Sequence, residues 1–107
     1  MSLAYAWEKT HSAVVHLAAS EADPRQRLIS AFINDITHIR VEELPEDIKS
    51  EFEDLMADVT SEEPIAREGL ISASISKLSI VEASRIAERV VTFYDNVTRR
   101  HAIESRS

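Results

Sequence analysis

Stepped at about 100° per residue, the stretch from Ser79 to His101 divides into two faces. Ile86, Ala87, Val90, Val91, Phe93, Tyr94 and Val97 share one arc, and Glu82, Ser84, Arg85, Glu88, Arg89, Thr92, Asp95 and Asn96 occupy the rest. An apolar arc this wide packs against more than one neighbour, so the pattern predicts the inner helix of a bundle. Its start is written in Ser79-Ile80-Val81-Glu82. There the serine can accept from the backbone of the glutamate, and the glutamate can reach back to the serine. Arg99, Arg100 and His101 put cations where the helix dipole is negative.

Three more helices follow from the same period. Over Ala4 to Ala19, Trp7, Val14, Leu17 and Ala18 share a face behind Leu3, with Ser12 and His16 pointing away. Asp23-Pro24-Arg25-Gln26 then offers a cap, a proline at the first helical position and a residue for the return hydrogen bond. Leu28, Ile29, Phe32, Ile36 and Ile39, with Ile33 on their shoulder, carry this second helix towards Arg40. Leu44-Pro45 breaks the chain, because a residue before proline is pushed out of helical geometry. Ile48, Phe52, Leu55, Met56 and Val59 form the narrow stripe of a third, surface helix. Residues 60–69, with Pro64 and the single glycine Gly69, read as a loop. Residues 70–78 are ambiguous: Ile71, Ile75 and Leu78 fit a helix, whereas Ile71, Ala73 and Ile75 also alternate with serines as a strand would. The helix is favoured, because a lone strand in a helical chain lacks a partner. The expected fold is all-α: an antiparallel bundle of four main amphipathic helices near 4–19, 24–40, 46–59 and 80–101. One short extra helix is expected at 70–78, and residues 1–107 form a single domain.

Composition agrees with that class. One glycine and three prolines are too few for the tight turns of an all-β protein. The absence of cysteine excludes disulfides and thiol chemistry. No apolar run approaches the ~20 residues that span a bilayer, and the N-terminus lacks a basic region followed by an apolar core. A cytoplasmic protein without membrane contact is expected. Charge is unevenly spread. Residues 41–68 hold eleven acids and two bases, a net −9, and the remainder holds ten bases and eight acids, a net +2. An acidic surface repels phosphate, which argues against a nucleic-acid partner, and attracts basic ones. Arg99, Arg100 and Arg106 make only a short basic tail. Arg25 and Arg27 open a helix where cations oppose the dipole, so they are expected to find carboxylates, with the acidic third helix the nearest supply.

Catalytic signatures are sparse. No nucleophile elbow and no phosphate-cradling glycine loop occurs. A metal site is the sharpest chemical alternative: Glu8 with His11 and Asp35 with His38 have the three-residue spacing used in carboxylate–histidine bundles. The helical period sets His38 about 120° from the centre of the second helix's apolar face, which counts against a shared inward site. The reading that follows is a small, non-enzymatic interaction or regulatory protein with no cofactor. It meets a basic protein partner through Glu51, Glu53, Asp54 and Asp58. The last helix's arc is wider than three short neighbours cover, so a homodimer is expected. The alternative is a metal-binding four-helix enzyme using Glu8/His11 and Asp35/His38.

Overall fold

The computed structural model describes residues 2–60 and 67–106. Its helices are Ala4–Ala19 (α1), Pro24–Asn34 (α2), Glu46–Val59 (α3), Arg67–Ser76 (α4) and Ile80–Ser105 (α5). Short 3₁₀ turns at Ile36–His38 and Val41–Glu43 link α2 to α3. No strand occurs among the described residues. The ambiguous stretch at 70–78 belongs to a helix, which begins earlier than expected and ends at Ser76. Of the expected loop at 60–69, residues 61–66 lie outside the described residues.

The longest helix starts as its sequence dictates. Ser79 accepts from the Glu82 backbone N–H at 3.0 Å, and the Glu82 carboxylate accepts from the Ser79 N–H at 2.8 Å. That backbone bond, then the Ser79 side chain, holds the Glu82 carboxyl below its usual range. A carboxyl depressed on folding contributes stability above its unfolded pKa and loses it as pH falls through the folded one. From this cap α5 runs past α1, α2 and α3 and touches all three. Ala83, Ile86, Val90, Phe93 and Val97 are buried along it. Phe93 meets Phe52 of α3 with ring centroids 5.9 Å apart, the tilted geometry aromatic pairs prefer. Side-chain pairing sets α1 and α3 on α5 and shows that α3 runs antiparallel to it. Trp7 lies beside Tyr94 and His101. Asp47, Glu51 and Asp58 meet Arg100, Asn96 and Arg89 in descending order.

Two expectations are corrected here. The second helix does not continue to Arg40. Asp35 leaves helical geometry at φ −126°, ψ −63°, and the chain tightens into 3₁₀ turns. The local chemistry explains the stop. Ile36, Thr37, Ile39 and Val41 are β-branched and stiff in a helix. The Thr37 hydroxyl also turns back to the Ile33 carbonyl at 3.1 Å. Breaking the helix brings Leu44 into the core beside Ile36 and Ile39.

The inner face of α1 is also rotated from the expected one. Its buried positions are Ala6, Thr10 and Ala13, after Leu3, which is itself fully buried. Trp7 and Leu17 are only partly covered, and Ala18 is exposed. On the helical period this turns the inner face by about 60°. Small side chains let neighbouring helices approach closely, and the one polar member satisfies itself. The Thr10 hydroxyl donates to the carbonyls of Ala6 and Trp7, each at 3.0 Å. The two faces make opposite predictions. Ala13→Leu overpacks a closed seam and lowers the free energy of unfolding in urea by about 1–3 kcal/mol. Ala18→Leu stays within about 0.5 kcal/mol of wild type. Equal effects at both positions would contradict the rotated face.

Candidate functional site

The acidic helix presents two rows of carboxylates. The row beside α5 is engaged. Arg100 donates to Asp47 at 2.8 Å, Arg89 donates to Asp58, and the Asn96 amide donates to Glu51 at 3.0 and 3.2 Å. The contacts repeat along two antiparallel helices because both helices have the same period, so one row of each stays in register. All are exposed or half-exposed, so each pair contributes little to stability alone. Glu46 and Glu53 are exposed on the side turned from that seam, whereas Asp54 is exposed within the seam row itself, between Glu51 and Asp58. No ion pair among the described residues engages Glu53 or Asp54. The four residues expected at a partner surface therefore divide: Glu51 and Asp58 bind the chain's own α5, Asp54 lies in their row, and Glu53 faces outward.

The two carboxylate–histidine pairs are not brought together. Glu8 and His11 are exposed on α1, and His11 lies against Trp7 with centroids 5.1 Å apart and rings 17° from parallel. His38 is exposed on its 3₁₀ turn. Asp35 turns the other way and accepts from Nδ1 of His16 at 2.6 Å. Among the described residues no three His, Asp or Glu side chains converge as metal ligands would.

The His16–Asp35 pair went unread in the sequence, where His16 was placed facing away from the core. The Asp35 side chain is 5% exposed and that of His16 41%. A buried carboxylate needs its hydrogen bonds met, and the imidazole supplies one across the α1–α2 junction. The signal was the row Ala6-Thr10-Ala13, whose small residues a hydrophobic pattern discounts; once that row is inward, His16 lies on the flank that meets α2. A second contact ties the start of α1 to the segment between the two 3₁₀ turns. The Arg40 guanidinium sits 4.3 Å from the Tyr5 ring centroid, with Lys9 at 5.6 Å.

The other cations also differ from expectation. Arg25 donates from Nε to the Leu78 carbonyl at 2.6 Å and lies 3.7 Å from Asp23. Arg27 donates to the Ala22 carbonyl at 2.6 Å. Neither reaches α3 within the chain; both instead satisfy carbonyls left open at turns. Two arginines of the expected basic tail are tied to acids, Arg99 to Asp95 and Arg100 to Asp47. His101, read in the sequence as a cation at the negative end of the helix dipole, stacks its ring on Trp7 with centroids 6.1 Å apart. Trp7, His11, Tyr94 and His101 thus form one aromatic cluster across the α1–α5 seam.

No helix among the described residues is long and apolar enough to cross a membrane. Comparison of the chain with protein-family models, curated proteins and solved structures finds no match.

The buried pair is open to a direct test. His16→Ala strips the Asp35 carboxylate of its partner and costs about 1–3 kcal/mol of stability. Asp35→Ala in the same background recovers part of the loss, because the unsatisfied group goes too. Denaturant titration of the two single variants and the double variant measures this. Additive losses would show that the two side chains do not act as a pair.

Proposed function

We propose that this chain is a small, non-enzymatic interaction or regulatory protein that docks a basic protein partner on the outer face of α3. The scaffold is an antiparallel bundle of α1, α2, α3 and α5, working in the cytoplasm as a homodimer. One observation carries the reading. Arg89 and Arg100 of α5 are engaged by Asp58 and Asp47, while Glu53 on the outer face and Asp54 in the seam row are exposed and make no ion pair among the described residues. A surface with unneutralised charge of one sign raises the local concentration of oppositely charged partners and speeds their encounter. Such a contact weakens with salt, because exposed charges are screened over roughly 8 Å at physiological ionic strength.

The division of the acidic row selects the variant to use. Changing Glu51 or Asp58 disturbs the α3–α5 seam, whereas Glu53→Ser with Asp54→Ser removes charge without breaking any of its three contacts. Pull-downs from lysate of the source organism compare wild type with this double variant at low and high salt. The expected result is a basic protein retained by wild type, released by salt and lost by the variant. Equal retention by both proteins would contradict α3 as the docking face. Stoichiometric iron, manganese or zinc in the purified protein would overturn the non-enzymatic reading in favour of a metal-binding bundle.

A further inference from the structure

The apolar arc of α5 is not fully covered by the chain's own helices. Val91, within that arc, is 46% exposed, and Ile80, on the same flank, is 48% exposed. The helical period places Ile80, Ser84, Ala87 and Val91 in one row on the side of α5 that faces α1. The stacking of His11 and Trp7 near Tyr94 and His101 fixes that side. Across the seam, Ala18 is exposed and Val15 is 46% exposed. Three of the five large exposed hydrophobics thus lie on the α1–α5 side of the molecule; the other two, Val81 and Ile103, lie elsewhere on α5.

We propose that the α1–α5 face, built from Val15, Ala18, Ile80, Ser84, Ala87 and Val91, is where two copies of this chain pair. The proposal rests on the homodimer reading and names its surface. Charge selects the occupant. A chain of net charge −7 repels its own copy over most orientations. These six residues carry no formal charge, and α3, with its acids, lies on the other flank of α5. Glu88 and Asp95 border the row on its outer side, and Arg27 borders its lower end beside Leu17 and Ala87. A two-fold interface sets the same patch against itself. An uncharged apolar patch is self-complementary, whereas a patch of one sign is not. Size sets the strength. The row from Ile80 to Val91 is about 17 Å long, so a face two helices wide covers roughly 350 Å² per copy, in the range of weak, transient interfaces. The dimer therefore dissociates in the micromolar range, on the order of 1–100 μM.

Sedimentation equilibrium on the full chain over that range, beside Val91→Glu, Val15→Glu and Val81→Glu, tests the assignment. Val81, 60% exposed and outside the row, is the control. The expected result is a reversible dimer for wild type and Val81→Glu. Val91→Glu and Val15→Glu then dissociate at concentrations at least about tenfold higher, because each buries a carboxylate in an apolar contact. Far-UV circular dichroism checks folding, and Val91→Ser, which adds no charge, must weaken the dimer in the same direction. A dimer unaffected by Val91→Glu and Val15→Glu would overturn this face and leave the homodimer reading standing. Wild type that stays monomeric throughout would overturn both.

Discussion

Burial of one face of α5 is the constraint from which the rest of the structure follows. That helix places Ala83, Ile86, Val90, Phe93 and Val97 out of water along most of its length. No single neighbour covers them, because the apolar arc is wider than the contact one helix makes, and α1, α2 and α3 each pack against part of it. Three helices must therefore be gathered around it. Each apolar side chain so buried contributes on the order of 1.5–3 kcal/mol, far more than any exposed ion pair on the surface. The polar seams fix register and neighbour identity around a core that the apolar face creates.

The neighbours of α5 are held to one another by different chemistry. Helix α3 is aligned by a repeated row of carboxylates on Arg89, Asn96 and Arg100. Helix α1 is aligned by aromatic stacking on α5 and by the buried His16–Asp35 pair towards α2. The end of α4 is fastened by Arg25 reaching the Leu78 carbonyl. Much of the chain's polar inventory is thus spent on assembly. What remains outward is the opposite side of α3, with Glu46 and Glu53, and the uncharged flank shared by α1 and α5. Those two surfaces differ in kind, one acidic and one uncharged.

Much of this architecture was legible from residue spacing. The capping box, the Asp23-Pro24 start, the break at Leu44-Pro45 and the helix over 46–59 all follow from local rules that tertiary packing did not override. The errors fall where packing chose among locally permitted options. A pattern weighted by large apolar residues reads Trp7 and Val14 as the inward face of α1. Close helix approach instead selected Ala6, Thr10 and Ala13, and threonine qualified because its hydroxyl bonds the helix's own carbonyls. The same rotation concealed His16 as the partner of Asp35. The second helix looked continuous because Ile36 and Ile39 fit its period; only the core shows that they are buried through 3₁₀ turns. For the acidic site, charge count found α3, but it could not separate the row that serves α5 from the row that faces solvent.

Native-state hydrogen exchange tests the dominance of α5 most directly, since it reads the free energy of opening residue by residue. Amides from Ile86 to Val97 should exchange only through global unfolding, at the free energy that denaturant titration gives for the whole molecule. Those of α4 and of the 3₁₀ turns should open at lower cost. Early exchange in the middle of α5, with slower exchange confined to α1 and α2, would contradict the account, because the core would then persist without the helix around which it is built.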